Sequence, residues 1–342
     1  MIFARDIGID LGTASVVLTL RGKGVVTREP AVVAIDKSTG NLLKVGKAAQ
    51  RMLGRTPGNI VAIRPIHDGV ISDYDMTERM LKEIVRKSTS SSMFKPRLLM
   101  SVPSGITEVE ERAVIDIRLQ AGARKVYLIE APVAAALGAG LDISDAKGHM
   151  VIDIGGGTLD AAVLSMGGVV ESESIKIAGD AFDDAIIKYI RRKHNVLIGQ
   201  TTSEELKKSL GCVFPRPETS YMDAKGRCLM TGLPRVVSVS SSDILEALDE
   251  VSQRILDTIH QLLERTPPEL VADISDTGIL LTGGGSLIWG LDKLIESSTN
   301  IKTHIADDAE LCVAYGITKA LDMVGDMQEG TLNLSRRNQL RH

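Results

Sequence analysis

Two short stretches of the chain carry nearly the same message. Asp6-Ile7-Gly8-Ile9-Asp10-Leu11-Gly12-Thr13 lies at the start, and Val151-Ile152-Asp153-Ile154-Gly155-Gly156-Gly157-Thr158 lies near the middle. Each reads as a buried strand that delivers an aspartate and then turns on glycine. The carboxylate can hold a metal or its water, while bare glycine N–H groups and a hydroxyl reach a phosphate. One copy alone is better read as a plain strand and a glycine turn. Two copies half a chain apart imply two similar lobes closing on a phosphate chain from opposite sides. A third glycine run, Thr282-Gly283-Gly284-Gly285-Ser286, follows an apolar strand and is expected to lead into a helix over residues 287–297. Bare backbone there lets a flat ring lie close, which suits a nucleoside.

A chain of 342 residues can bury the cores of two such lobes. Aromatic residues make up only 3% and the net charge is −4, so neither base stacking nor a general attraction to nucleic acid is expected. The three cysteines, Cys212, Cys228 and Cys312, are widely spaced, which argues against a disulfide framework or a zinc site and for a reducing compartment. No apolar run approaches the roughly 18 residues that span a bilayer, and no room precedes the first strand for a signal peptide.

Between the motifs, strands and helices alternate. Residues 15–20 and 24–35 read as strands, 77–87 as an amphipathic helix, and 98–102 as a buried strand stopped by Pro103. A helix over 107–121 carries a Thr107/Glu110 capping box. Strand 125–129 leads through Glu130-Ala131-Pro132 into a helix of small residues, 133–140, suited to close packing against another helix or a hinge. In the second half, strands are expected at 161–164 and 169–177, and helices at 181–194, 203–210 and 242–264. Residues 214–226, with Pro215 and Pro217, read as an exposed loop.

These residues together resemble the MreB-type bacterial actins, within the superfamily of actin, heat-shock chaperone and sugar-kinase ATPases. The resemblance covers residues 5–321. It rests on the two phosphate turns, on Leu281-Thr282-Gly283-Gly284-Gly285, and on blocks such as Leu53-Gly54-Arg55-Thr56-Pro57-Gly58-Asn59, Ser101-Val102-Pro103-Ser104-Gly105 and Arg265-Thr266-Pro267-Pro268-Glu269-Leu270. It implies a two-lobed α/β actin-like fold, a duplicated mixed sheet flanked by helices, with a nucleotide cleft between the lobes. Lobe I would span 1–144, with 31–64 as a small subdomain and 309–325 returning to it. Lobe II would span 145–308, with 181–243 as its small subdomain, and 326–342 would be a disordered tail.

The family mechanism implies ATP or ADP with Mg²⁺. Asp10 and Asp153 would hold the metal through water, while Gly12, Thr13, Ala14 and Ser15 face Gly155, Gly156, Gly157 and Thr158 around the β- and γ-phosphates. The nucleoside would lie between Gly283, Gly284, Gly285 and Ser286 and the helix of Glu204, Glu205 and Lys207. Read without the resemblance, that helix is a solvated charged face. Expected partners are further copies of the chain in filaments, the inner face of the cell membrane and the proteins of cell-wall elongation. The protein would then be cytoplasmic and peripherally membrane-bound, and would guide rod shape.

One departure concerns the chemistry. The family's strand-to-helix turn reads Glu-Glu-Pro, and its second Glu orients the attacking water; here that position is Ala131. A methyl group cannot orient water, so hydrolysis should be slow unless Glu130 or Thr158 substitutes. Glu130 is one residue off, which at a strand end usually turns a side chain to the opposite face. Ser15 replaces a usual Asn and can still donate to phosphate. The apolar pair Met93-Phe94, in a polar loop beside Lys95, either tucks into the domain or, as in the family, inserts into the membrane; Ile2-Phe3 could add a second anchor and Arg336, Arg337 and Arg341 a weak attraction to anionic lipid. Two other classes are a structural filament that binds nucleotide but hydrolyses it poorly, and a monomeric superfamily kinase. A kinase would need an additional carboxylate base that the phosphate turns do not offer.

Overall fold

The computed structural model describes residues 6–88, 96–107, 123–323 and 330–331, with 109, 111, 112 and 114–116 between them. Two mixed sheets dominate. The first runs in the order Gly330–Thr331, Lys125–Glu130, Arg97–Val102, Ile7–Leu11, Ser15–Leu20, Gly24–Pro30. The second runs Gly168–Ile175, Leu159–Ser165, His149–Ile154, Ile279–Thr282, Thr303–Ile305.

The two sheets share one plan. In each, the strand carrying the aspartate pairs antiparallel with the strand that follows it in sequence and parallel with one that arrives after a long connection. The central strands are buried along most of their length, as near-continuous apolar runs covered on both faces must be. One apolar core lies around each sheet, and a third, including Leu99, Tyr127, Val151, Leu164 and Ile317, joins them.

Helices Ala131–Gly138 and Cys312–Leu321 pack together between the sheets. A methyl at Gly138 would stand 1.7 Å from the Cys312 carbonyl oxygen, and one at Gly316 would stand 1.7 Å from that of Ala134. The small-residue helix expected from sequence therefore does pack backbone to backbone, though it begins at Ala131 and ends at Gly138. Two small three-stranded sheets are also present. One contains Val33–Asp36, Leu42–Val45 and Ile60–Ile63, and the other Val196–Leu197, Tyr221–Cys228 and Pro234–Ser240.

Three expectations need correction. Residues 214–226 are not all loop, because Tyr221–Cys228 is a strand paired with Pro234–Ser240. Only Ala224 and Cys228 of that strand are buried, so its apolar alternation is too sparse to read. The 24–35 stretch is two strands in different sheets, Gly24–Pro30 and Val33–Asp36. The 287–297 helix is a short 3-10 turn, Gly284–Leu287, followed by helix Leu291–Thr299, with Gly290 in the left-handed region at φ 82°. The long helix runs Ser241–Arg265, with Ser240 and Asp243 forming a reciprocal capping box. The Glu110 side chain of the other expected capping box lies outside the described residues, as do Met93, Phe94, Ile2, Phe3 and the three tail arginines.

Candidate nucleotide cleft

Each central strand ends by presenting its aspartate to the same space. Asp10 accepts a hydrogen bond from Ser101 Oγ at 2.7 Å, and Asp153 accepts one from Thr282 Oγ1 at 2.8 Å. Ser101 and Thr282 occupy equivalent places, each on the parallel neighbour of its aspartate strand. Burial pushes the Asp10 carboxyl above its usual range against the opposing Ser101 bond and Arg28 charge. Burial pushes Asp153 up to about 7 against the Thr282 bond, with Asp160 and Asp10 adding to the rise. Asp10 thus adds to the rise at Asp153 across the cleft, and a divalent cation between the two carboxylates would reverse that repulsion.

The turns after the aspartates close in the same way. Gly12 N–H donates to the Ser15 carbonyl at 3.0 Å, and Gly155 N–H donates to that of Thr158 at 2.9 Å. The two turns also touch across the cleft. A Cβ on Gly156 would lie 2.7 Å from the Ala14 Cβ, and one on Gly157 would lie 2.5 Å from Thr13 Oγ1. Bare backbone is thus required where the hairpins meet.

A third piece enters here that the sequence did not announce. Gly69 N–H donates to Thr13 Oγ1 at 3.0 Å, and a Cβ on Gly69 would strike Thr158. The Asp68-Gly69 dipeptide signals a turn in the sequence but not its location against both phosphate hairpins.

The cleft encloses about 970 Å³ and is lined from both halves, including Asp10, Thr13, Ser15, Asp153, Gly156 and Thr158. Gly283, Gly284 and Gly285 line its far end together with Glu204 and Lys207. Lys207 Nζ donates to the Gly179 carbonyl and to Asp183 Oδ2, both at 2.8 Å. Glu204 accepts from Lys208 at 2.7 Å. Two expected residues stand elsewhere. Glu205 is exposed and outside the cleft wall, and Ser286 is fully buried, its hydroxyl donating to the Gly283 carbonyl at 2.7 Å to tie the turn.

Sequence reading also missed groups that reach the cleft from distant segments. Arg64 of the first half bridges Asp180 of the second at 2.7 Å, and Arg28 bridges Glu310 at 2.8 Å. Trp289 lines the cleft beneath the guanidinium of Arg216, 5.4 Å from the ring centre. A lone tryptophan in the chain was the available signal.

Ala131, the first residue of its helix, lines the cleft, whereas Glu130 before it does not. Burial and the nearby Asp160 push the Glu130 carboxyl above its usual range.

Among the described residues no group of three or more His, Cys, Asp or Glu side chains could hold a metal. Two carboxylates still fit Mg²⁺, which keeps several waters and takes its other ligands from substrate phosphates. The glycine turns, which admit no Cβ where they meet, fit a phosphate chain in the same way.

The fold and this site define the two-lobed actin-like proteins. Residues 4–329 match the MreB/Mbl protein family, and the chain belongs to it. It is 50% identical over 331 residues to the cell shape-determining protein Mbl of Bacillus cereus, spanning 96% of this chain and 99% of that one. It is 48% identical over 336 residues to cell shape-determining protein MreB of Escherichia coli K12, spanning 96% of each. Among solved structures, MreB 5 of Spiroplasma citri bound to AMPPNP superposes with a TM-score of 0.90 at 40% identity, covering 94% of this chain and 97% of that one. The same protein bound to ADP gives the same score. A MamK double helical filament superposes at 0.81 with 18% identity over 95% of this chain and all of that one, a likeness of fold.

Proposed function

We propose that the chain binds ATP with Mg²⁺ in the cleft and polymerises into filaments on the inner face of the cell membrane that organise cell-wall synthesis and rod shape. The observation that carries this reading is the doubled device at the cleft. Two aspartates, each held by a hydroxyl from the neighbouring strand, sit beside two glycine turns that meet face to face. The AMPPNP-bound and ADP-bound relatives and the MamK filament support the nucleotide and the assembly.

In this reading Asp10 and Asp153 would hold hydrated Mg²⁺, which would supply charge neutralisation beside the bound phosphate chain. The backbone N–H groups of the two turns and the Thr13 hydroxyl orient the phosphate oxygens, and the Gly283–Gly285 backbone takes the nucleoside with Glu204 and Lys207 opposite. Lobes would divide at 144/145, with small subdomains at 31–64 and 181–243, and Met93-Phe94 would enter the lipid surface.

Ala131 in the cleft wall favours a second reading of the same site, a filament whose nucleotide turns over slowly. The test is sedimentation with ATP, Mg²⁺ and lipid vesicles beside a phosphate-release assay. Pelleting with rapid release supports the first reading and pelleting with slow release the second. A chain that stays monomeric at high concentration with ATP and lipid sinks the filament.

A further inference from the structure

The two walls of the cleft's nucleoside end continue into one seam. Helix Gln200–Leu210, which carries Glu204 and Lys207, runs directly into Gly211-Cys212-Val213. The turn Gly284–Leu287 runs directly into Ile288-Trp289. Cys212 and Trp289 form a parallel bridge, and Val213 N–H donates to the Trp289 carbonyl at 3.0 Å. A Cβ on Gly290 would stand 2.5 Å from that of Phe214, so glycine is what lets the two segments approach. The seam therefore joins the two surfaces between which a nucleoside would lie, and Arg216 and Trp289 on it line the cleft.

Aromatic residues are only 3% of the chain, yet its one tryptophan stands here, half-buried in the cleft wall. The Arg216 guanidinium lies over the ring, 5.4 Å from its centre, and donates to the Gly211 carbonyl at 2.8 Å. Among the described residues Arg216 has no carboxylate partner, so a ring and a carbonyl hold it in place. Indole rings and guanidinium planes are the two kinds of side-chain surface on which nucleobases stack. Ile288 is buried in the core at 7% exposure, which leaves its neighbours Leu287 and Trp289 to the cleft. Leu287 is 54% exposed there, apolar surface that a flat ring would cover.

We infer that Trp289 and Arg216 form the surface against which the base of the nucleotide is held, and that they set a preference for a purine over a pyrimidine. The inference rests on the ATP-binding reading above. Stacking strengthens with the area of ring overlap, so a bicyclic purine gains more from this surface than a single ring does. The aspartates and glycine turns at the other end of the cleft meet phosphate and are blind to the base. The two ends can therefore be separated by changing the base alone.

The experiment titrates the full chain with ATP and with UTP, Mg²⁺ present, by calorimetry and by the emission of Trp289, which reports on its own surroundings. UTP shares the ribose and phosphates of ATP but carries a single ring. Wild-type protein should bind ATP more tightly than UTP, and ATP should change the tryptophan emission. Trp289→Leu should weaken ATP about tenfold and UTP less than about threefold, as expected for the loss of one base's stacking surface. Trp289→Phe, which keeps a ring, should recover most of the ATP affinity. Arg216→Ala should also lower ATP affinity more than UTP affinity, and it keeps the inference testable if Trp289→Leu fails to fold. ATP affinity at or above the wild-type value in Trp289→Leu or Arg216→Ala overturns the inference, as do equal losses for the two nucleotides. Tryptophan emission that stays constant while calorimetry records ATP binding overturns it as well. Wild-type protein that binds neither nucleotide overturns the nucleotide reading itself.

Discussion

The first and second aspartate hairpins follow one backbone plan, yet they place their carboxylates in different electrostatic settings. Asp10 has Ser101 as donor and Arg28 as a neighbouring cation, both opposing the effect of burial. Asp153 has Thr282 as donor, no cation among the causes of its shift, and two further carboxylates, Asp160 and Asp10, that raise its pKa. Duplication thus supplies two equivalent arms, while specialisation falls on the second, where negative charge is concentrated opposite a phosphate-binding turn. Such concentration is costly in the free protein and useful once a cation is bound.

The strongest challenge to this comparison is to neutralise each arm. Asp10→Asn and Asp153→Asn should each weaken Mg·ATP binding by about 100-fold, roughly 2.8 kcal/mol, measured by titration of a fluorescent analogue. The Asp153 variant should retain more metal-free nucleotide binding than wild type, since it removes the more crowded charge. Equal affinities for all three proteins would break the assignment of both aspartates to the metal.

Next in size is the missing carboxylate. Ala131→Glu should raise phosphate release by about tenfold or more, within the range that a positioned acid or base contributes, with little change in ATP affinity. Unchanged release would mean that residue 131, although in the cleft wall, does not face the water.

How much of this was legible beforehand depended on how local each cause is. Asp10, Asp153 and their glycine turns were readable because the demand for an aspartate at a strand end and for bare backbone beside it lies within a few residues. The close crossing of two helices was readable from alanine and glycine in one of them. Ser101 and Thr282 could be placed as donors only once the sheet order was known, since each bonds across a parallel pairing 91 and 129 residues distant in sequence. Asp68-Gly69, Arg64 with Asp180, and Trp289 reach the cleft from separate segments for the same reason. Strand Tyr221–Cys228 went unread because most of it is not buried, so its pattern resembles a loop. Glu205 and Glu204 are adjacent in sequence, yet the helix turns one away from the cleft and the other toward it.

A smaller effect should appear in the pH dependence of stability without nucleotide or metal. Asp153 moves from the ordinary value of 3.8 up to about 7 on folding. A carboxyl with a raised folded-state pKa binds its proton more tightly when folded. Its contribution to stability is therefore present below pH 3.8 and is lost as pH rises toward 7. Thermal melting should show the metal-free protein losing this contribution between about pH 4 and pH 7, and Asp153→Asn should flatten the slope. Asp10→Asn should flatten it less, because Ser101 and Arg28 oppose the rise there. An Asp153→Asn chain with the wild-type slope would locate the titration elsewhere.

The finest test of the asymmetry removes only the two hydroxyls that hold the aspartates. Thr282 is fully buried and Ser101 is 8% exposed. Thr282→Val leaves the Asp153 oxygen without its donor among neighbouring negative charges, a loss of about 1–3 kcal/mol for an unsatisfied buried acceptor. Ser101→Ala leaves Asp10 with the Arg28 charge still acting on it, so the loss should be nearer the ordinary hydrogen-bond value of about 1 kcal/mol. Chemical denaturation at pH 8, above the value of about 7 for Asp153, should rank the two in that order. At pH 5 the gap should narrow, because a protonated Asp153 carries no charge that needs the Thr282 hydroxyl. Equal losses at both pH values would show that the two arms are copies in energy as well as in backbone, and that the crowding around Asp153 has no consequence for the fold.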